Sequence, residues 1–214
     1  ILTRVGAPVY DAYLMDVGQG YKANENANLQ PNAETSHKRK ADWVSGEEYL
    51  LLMQPKLADA HLSGDLHIHD LEYFGTRPFC QDWDLRYFFY YGLMPDGMGT
   101  RTSVAGPAKH PEVAILHTAK ILASAQTNFA GGEGFYNFLV FLAPFMRGIK
   151  YERIRQLMQM MFFEYTQAYV ARGGQLVFSN IQVQPGVPEL WRKMPVVMNG
   201  QVGPDVYGTF EDEV

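Results

Sequence analysis

The sequence predicts an α/β domain with helices packed outside strands. Segments with helical spacing of apolar residues alternate with short apolar runs. Gly and Pro punctuate most of the changes between them. The composition, 47% hydrophobic and 19% charged over 214 residues, suits a chain that buries a sizeable core.

The bulk properties exclude several classes. The formal net charge is −5, and His37-Lys38-Arg39-Lys40 reads as a solvated loop rather than a nucleic-acid patch. No apolar run reaches the roughly eighteen residues of a membrane span. No signal-peptide core follows Ile1. The single cysteine, Cys80, rules out an internal disulfide and an all-cysteine zinc site, and it fits a reducing, cytoplasmic compartment. The expectation is one domain over 1–214, with no nucleic-acid or membrane partner. Starting at Ile1 and ending in Tyr207–Val214, which reads as a helix just begun, the chain is expected to be a piece of something longer.

The elements follow in order. Residues 1–44 read as an irregular opening segment, polar from 21 onward, with Asn24-Glu25-Asn26-Ala27-Asn28 favouring turns. Ser45-Gly46-Glu47-Glu48 has the capping-box pattern and predicts a helix through Met53. Pro55 breaks it and opens a second helix ending at Gly64. Leu66–Leu71 alternates as a strand does, and a second extended stretch is expected to carry Cys80. Asp82 or Asp84 caps a short helix stopped by Gly92.

Pro111 opens a long helix to about Phe129, with Ile115, Ala119, Leu122 and Phe129 on one stripe. Glu112 and Gln126 share that stripe, at its margin or facing a ligand. Phe135–Met146 reads as a buried helix disturbed near Pro144. Residues 150–171 form the clearest helix, with Ile154, Met158, Met161, Tyr165 and Ala168 on one face and Leu157, Phe162 and Tyr169 beside it. Gln175–Val183 reads as a buried strand with Ser179 and Asn180 on opposite faces. Residues 184–214 are a Pro- and Gly-rich excursion.

The chemistry concentrates in Gly64-Asp65-Leu66-His67-Ile68-His69-Asp70-Leu71 and Cys80. On a strand, His67 and His69 share a face about 7 Å apart, a spacing that can hold a divalent metal. Such a site needs further ligands, and no second ligand motif is evident. The same residues can instead brace the strand through Asp65 and Asp70, or border a pocket in which Cys80 reacts. Residue chemistry alone leaves these readings open.

Several segments together resemble the anaerobic (class III) ribonucleotide reductases, which are glycyl-radical enzymes. Glu25-Asn26-Ala27-Asn28 is similar to a family segment. Ala60–Leu71 is very similar to the signature Ala-His-x-x-Gly-Asp-x-His-x-His-Asp-Leu, with Cys80 following at nearly the family distance. Phe129-Ala130-Gly131-Gly132-Glu133 resembles the family's Gly-Gly-Gln turn, and Arg172–Ile181 its Arg-Gly-Gly-Gln strand. The chain departs from the pattern at Phe79, where Asn is frequent, and at Glu133, where Gln is common.

The resemblance implies the first half of a ten-stranded glycyl-radical-enzyme α/β barrel with long outer helices. It implies reduction of ribonucleoside triphosphates to deoxyribonucleoside triphosphates. Cys80 is then the catalytic cysteine that delivers reducing equivalents, opposite a thiyl-forming cysteine that this sequence does not contain. His67, Ser179 and Asn180 are the expected substrate-binding residues. Glu112, Gln126 and Lys150 are the expected binders of a dNTP or ATP effector, where helices of a homodimer meet. No cofactor or metal is expected in this chain. The whole enzyme would need a glycyl radical installed by an S-adenosylmethionine/iron-sulfur activase, and a structural zinc, both outside this sequence. The chain is expected to be inactive alone. The competing readings are another glycyl-radical enzyme, or a non-catalytic nucleotide-binding or dimerisation module.

Overall fold

The computed structural model describes residues 33–169 and 176–214. Two helices, α1 (Ala33–Leu52) and α2 (Pro55–Ser63), open the described chain. Pro55 starts α2 where its missing N–H is not needed, and Gly64 ends it at φ 85°. Strand β1 (Gln81–Trp83) leads into α3 (Leu85–Tyr91), whose first turn is capped by Asp84 accepting from the Arg86 N–H. Next come α4 (Pro111–Ala125), β2 (Glu133–Phe135), α5 (Phe138–Met146), α6 (Tyr151–Gln167) and β3 (Ser179–Ile181). A short helix α7 (Glu189–Arg192) precedes the antiparallel hairpin β4 (Pro195–Met198) and β5 (Gln201–Val206).

The three strands β1, β2 and β3 lie parallel in that order, so each connection must cross over and carry helices. The register sets Gln81, Glu133 and Ser179 in one row, Asp82, Gly134 and Asn180 in the next, and Trp83, Phe135 and Ile181 in the third. Phe135 packs into the helix layer with Leu85, Phe89, Ile115, Phe141 and Leu157. The middle row, one residue out of phase, takes the other face of the sheet.

Helices α4 and α6 lie side by side. Arg153 pairs with Glu112 near one end, while the Tyr165 hydroxyl donates to Thr118 Oγ1 at 2.9 Å towards the other. None of the described helices is long and apolar enough to cross a membrane.

Several expectations are corrected. Residues 33–44 are helical, and α1 runs through Ser45 and Gly46 rather than starting there. Its polar face is braced by a Lys38–Asp42 pair one turn apart, which the composition-based loop reading did not weigh. Leu66–Leu71 is not a strand; Asp70 is left-handed at φ 47° and a 3-10 turn follows over Leu71–Tyr73. Alternation alone cannot make a strand where no neighbouring chain accepts its hydrogen bonds. Helix α4 stops at Ala125, and Phe129 lies beyond it, its ring 5.7 Å from Trp83. Phe162 is 57% exposed rather than packed beside the α6 core face. The segment after residue 184 is a packed unit: Val187, Val196, Tyr207 and Phe210 are buried, and Arg147 ties α5 to Glu213. The segments over 1–32 and 170–175, including the Asn-rich run and Arg172–Gln175, lie outside the described residues.

Candidate functional site

Cys80 sits one residue before β1 and is exposed. Its backbone is laced to the turn before β2. The Ala130 N–H donates to Pro78 O at 3.0 Å, Gly131 to Phe79 O at 2.5 Å, and Gln81 to Gly132 O at 3.1 Å. A Cβ at Gly131 would overlap the Cys80 Sγ and come within 2.7 Å of Phe79 O. Only glycine at 131 lets this turn pass under the thiol, and a Cβ at Gly132 would come within 3.0 Å of the Phe178 ring.

Gln126 holds the turn from beneath. Its amide donates to Gly131 O at 2.9 Å and accepts the Phe178 N–H at 3.2 Å. It is fully buried, so the side chain expected to face an effector instead ties the turn to the start of β3. Burial forces that role, because a buried amide must satisfy its own bonds locally.

Glu133 follows on the central strand, fully buried on the helix side of the sheet. Its Oε2 accepts the Trp83 indole N–H at 2.5 Å, while Oε1 has no partner among the described residues. Burial pushes this carboxyl up to about 7; the Trp83 bond opposes that, and the Asp82 charge adds to it. Asp84, at the end of β1, is surrounded differently. Burial alone would raise it, but two-pronged contact with Arg86 and the Tyr136 hydroxyl at 2.7 Å hold it below its ordinary value. Arg86 in turn stacks over Phe141 and Trp191.

On the other face, Asp82 and Asn180 reach over Gly134 from the two outer strands. A Cβ at Gly134 would overlap the side-chain oxygen of each. A cavity of about 920 Å³ runs along β1, bounded by Asp82, Trp83, Asp84, Lys120, Asn128 and Tyr136. Cys80, His67 and Asn180 are not in its walls.

The histidines form a ladder rather than a strand face. His61 and His67 rings lie 5.8 Å apart, His67 and His69 5.9 Å, and His69 and Phe79 5.2 Å. His61 Nδ1 accepts the Ile68 N–H at 3.1 Å, and His69 lies 3.3 Å from Asp70. Asp65 is taken by the Ser63 hydroxyl at 2.8 Å, not by a histidine. The ladder reaches Phe79, the neighbour of Cys80. Among the described residues no group of three or more His, Cys, Asp and Glu could hold a metal.

The structure therefore brings Asn180 to Asp82 over Gly134 and, through Phe79, the His67 ladder to the neighbour of Cys80. Ser179 lies in the Gln81–Glu133 row, out of phase with Asn180. Glu112 and Lys150 stand apart, at the first turns of α4 and α6, and Arg153 occupies Glu112. The sequence reading missed Asp82 and Glu133 as site residues and missed β2 altogether. The signal for Asp82 was its position two residues after the cysteine.

A family model described as anaerobic ribonucleoside-triphosphate reductase matches residues 25–214. The chain is 26% identical over 125 residues to the anaerobic ribonucleoside-triphosphate reductases of Escherichia coli K12 and Salmonella typhimurium LT2. Those stretches cover 58% of this chain and 17% of each relative, so the chain spans a minor part of their length. Among solved structures it is similar to the anaerobic ribonucleotide reductase of Thermotoga maritima in complex with dATP and CTP. That likeness has a TM-score of 0.65 at 18% identity and covers 99% of this chain and 39% of the other. The same enzyme with dATP bound in its specificity site matches at a TM-score of 0.55 and 17% identity, over 82% of this chain and 30% of that one. These structures share its α/β fold. By a family match that spans nearly its whole length, this chain belongs to the anaerobic ribonucleoside-triphosphate reductase family.

Proposed function

We propose that this chain is the part of an anaerobic ribonucleotide reductase that supplies the reducing cysteine to the substrate ribose. The observation that carries the reading is the exposed Cys80 thiol at the head of a parallel sheet, seated on the Gly131-Gly132 turn. The three parallel strands belong to the first half of a ten-stranded barrel completed by other sequence.

In this reading a thiyl radical, generated by a glycyl radical from elsewhere in the enzyme, takes the 3′ hydrogen of the ribose. The 2′-hydroxyl then departs as water, and Cys80 gives one hydrogen atom. A formate or thiol reductant supplied from outside this chain gives the second reducing equivalent, and the thiyl-forming cysteine returns the 3′ hydrogen. Asn180 contacts the sugar, Ser179 supports its strand, and His67 braces the approach to Cys80 through His69 and Phe79. Glu112 and Lys150, at adjacent helix starts, serve an effector nucleotide where two copies meet. Gln126, being buried, serves structure only. The radical-SAM activase and the zinc act on parts of the enzyme outside this chain.

The test uses the full-length enzyme, activated anaerobically. Cys80→Ser should abolish deoxynucleotide formation while leaving effector binding, followed by calorimetry, within twofold. Turnover retained in that variant would overturn the proposal and favour a non-catalytic module.

A further inference from the structure

A row of aromatic rings leads from the end of β1 out along α3. The Trp83 ring lies 6.0 Å from Phe88, Phe88 lies 5.4 Å from Tyr87, Tyr87 4.9 Å from Tyr91, and Tyr91 4.7 Å from Tyr90. Trp83 is partly buried, while Tyr87, Tyr90 and Tyr91 are 53%, 40% and 56% exposed. Core packing does not call for these tyrosines, because the buried face of α3 is Leu85 and Phe89. The inner end of the row has a place for a proton. The Trp83 indole N–H, a donor only, is bonded to Glu133 Oε2 at 2.5 Å, and Oε1 has no partner among the described residues. Burial disfavours the charged form of that carboxyl, so it takes up a proton readily. After thiols, indole and phenol are the side chains that most easily lose one electron, provided their proton has an acceptor. Trp83 has its acceptor in the core, and the exposed tyrosines have theirs in solvent.

We propose that Trp83, Tyr87, Tyr91 and Tyr90 form a one-electron relay that carries an oxidation stranded on Cys80 to the protein surface. Three residues of extended chain, about 10 Å, separate Cys80 from Trp83. The oxidant is the sulfur-centred radical left once Cys80 has given up a hydrogen atom, so the assignment rests on the reading of Cys80 above. Trp83 passes an electron to that sulfur, which takes a proton from solvent and is a thiol again. The indole N–H proton moves to the Glu133 carboxylate. Tyr87 then gives an electron to the Trp83 radical through the Phe88 contact and loses its hydroxyl proton to water, while Glu133 returns its proton to the indole. The radical passes to Tyr91 and on to Tyr90 by the same exchange. A small thiol in solvent gives the Tyr90 radical a hydrogen atom, and two of the resulting thiyl radicals join as a disulfide. The relay thus clears a radical that the normal reductant has failed to meet.

Two measurements on the full-length enzyme test the relay. In the unactivated protein, azide radicals from pulse radiolysis oxidise tryptophan, and the indolyl absorption is followed as it gives way to phenoxyl. One phase of that transfer should be first order and independent of protein concentration. The triple variant Tyr87→Phe, Tyr90→Phe, Tyr91→Phe keeps every ring and alters only exposed hydroxyls, and it should slow that phase at least tenfold. Glu133→Gln still accepts the indole N–H but cannot carry its proton, and it should slow the phase as well. In the activated enzyme, given each ribonucleoside triphosphate but no reductant, electron paramagnetic resonance should show a phenoxyl radical that is lost in the triple variant and in Cys80→Ser. Transfer unchanged in the triple variant or in Glu133→Gln overturns the relay whatever the role of Cys80. A phenoxyl signal that survives Cys80→Ser, or none in enzyme that reduces nucleotides once the reductant is added, overturns Cys80 as its source and the relay with it. Failure of the proposed function reads differently, as turnover retained by Cys80→Ser with the reductant present.

Discussion

Glu133→Gln tests the electrostatic account of the central strand. The folded chain holds this carboxyl at about 7, against an ordinary value of 4.5. The cause is burial, with one oxygen bonded to Trp83 and the other without a partner among the described residues. The sign follows from proton counting. Between pH 4.5 and 7 the folded state keeps its proton while the unfolded state releases it, so stability falls as pH rises. Below pH 4.5 both states are protonated and the group is neutral in effect. At about 1.4 kcal/mol per pH unit the loss reaches roughly 3 kcal/mol above pH 7. Glutamine keeps the shape and an acceptor for Trp83, and it cannot ionise. Its amide N–H₂ gains no acceptor, which adds a pH-independent cost of about 1–3 kcal/mol. The diagnostic is therefore the pH dependence of the difference between the two proteins. Urea unfolding at pH 4.5, 6, 7 and 8 should show Glu133→Gln gaining about 3 kcal/mol relative to the parent across that range. Parallel stability curves would refute the reasoning, because they would mean that Glu133 carries no buried charge at neutral pH.

Two further substitutions probe the scaffold under Cys80. Gln126→Ala removes the bonds to Gly131 and Phe178 and leaves the buried Gly131 carbonyl without its donor and the Phe178 N–H without its acceptor. It should cost about 2–4 kcal/mol in urea unfolding and speed Cys80 alkylation as the turn loosens. Asp84→Ala removes the α3 cap and the partner of Arg86 and Tyr136. It should cost about 1–3 kcal/mol at pH 7. Because Asp84 is held below its ordinary 3.8, its contribution is present above that pH and is lost as pH falls through the depressed value, so parent and variant should converge in acid.

The parts legible in the sequence were those determined within a few residues. Asp84 and Gly92 bound α3, Pro55 and Gly64 bound α2, and Pro111 opens α4, because caps and prolines act on neighbouring backbone groups. The α6 stripe was legible at Leu157 and Met161, which are buried, but Phe162 one step round the helix is exposed. Periodicity gives a face and not its width. The signature around His67 was legible as a family mark and misleading as structure, since its alternation produces a turn and a ring ladder.

The sequence by itself marked the family, singled out Cys80 as the candidate cysteine and placed most of the helices. Only the tertiary structure decided strand β2, the pairing of the three strands and the surroundings of that cysteine. Strand β2 is three residues long and exists because β1 and β3 pair with it on either side. No local pattern encodes that. The same pairing puts Gly131 under Cys80, buries Gln126 beneath the turn, strands Glu133 in the core and aims Asp82 and Asn180 at one gap. Residues about fifty positions apart meet only when the parallel ladder forms, and its hydrogen bonds set the register that makes them neighbours.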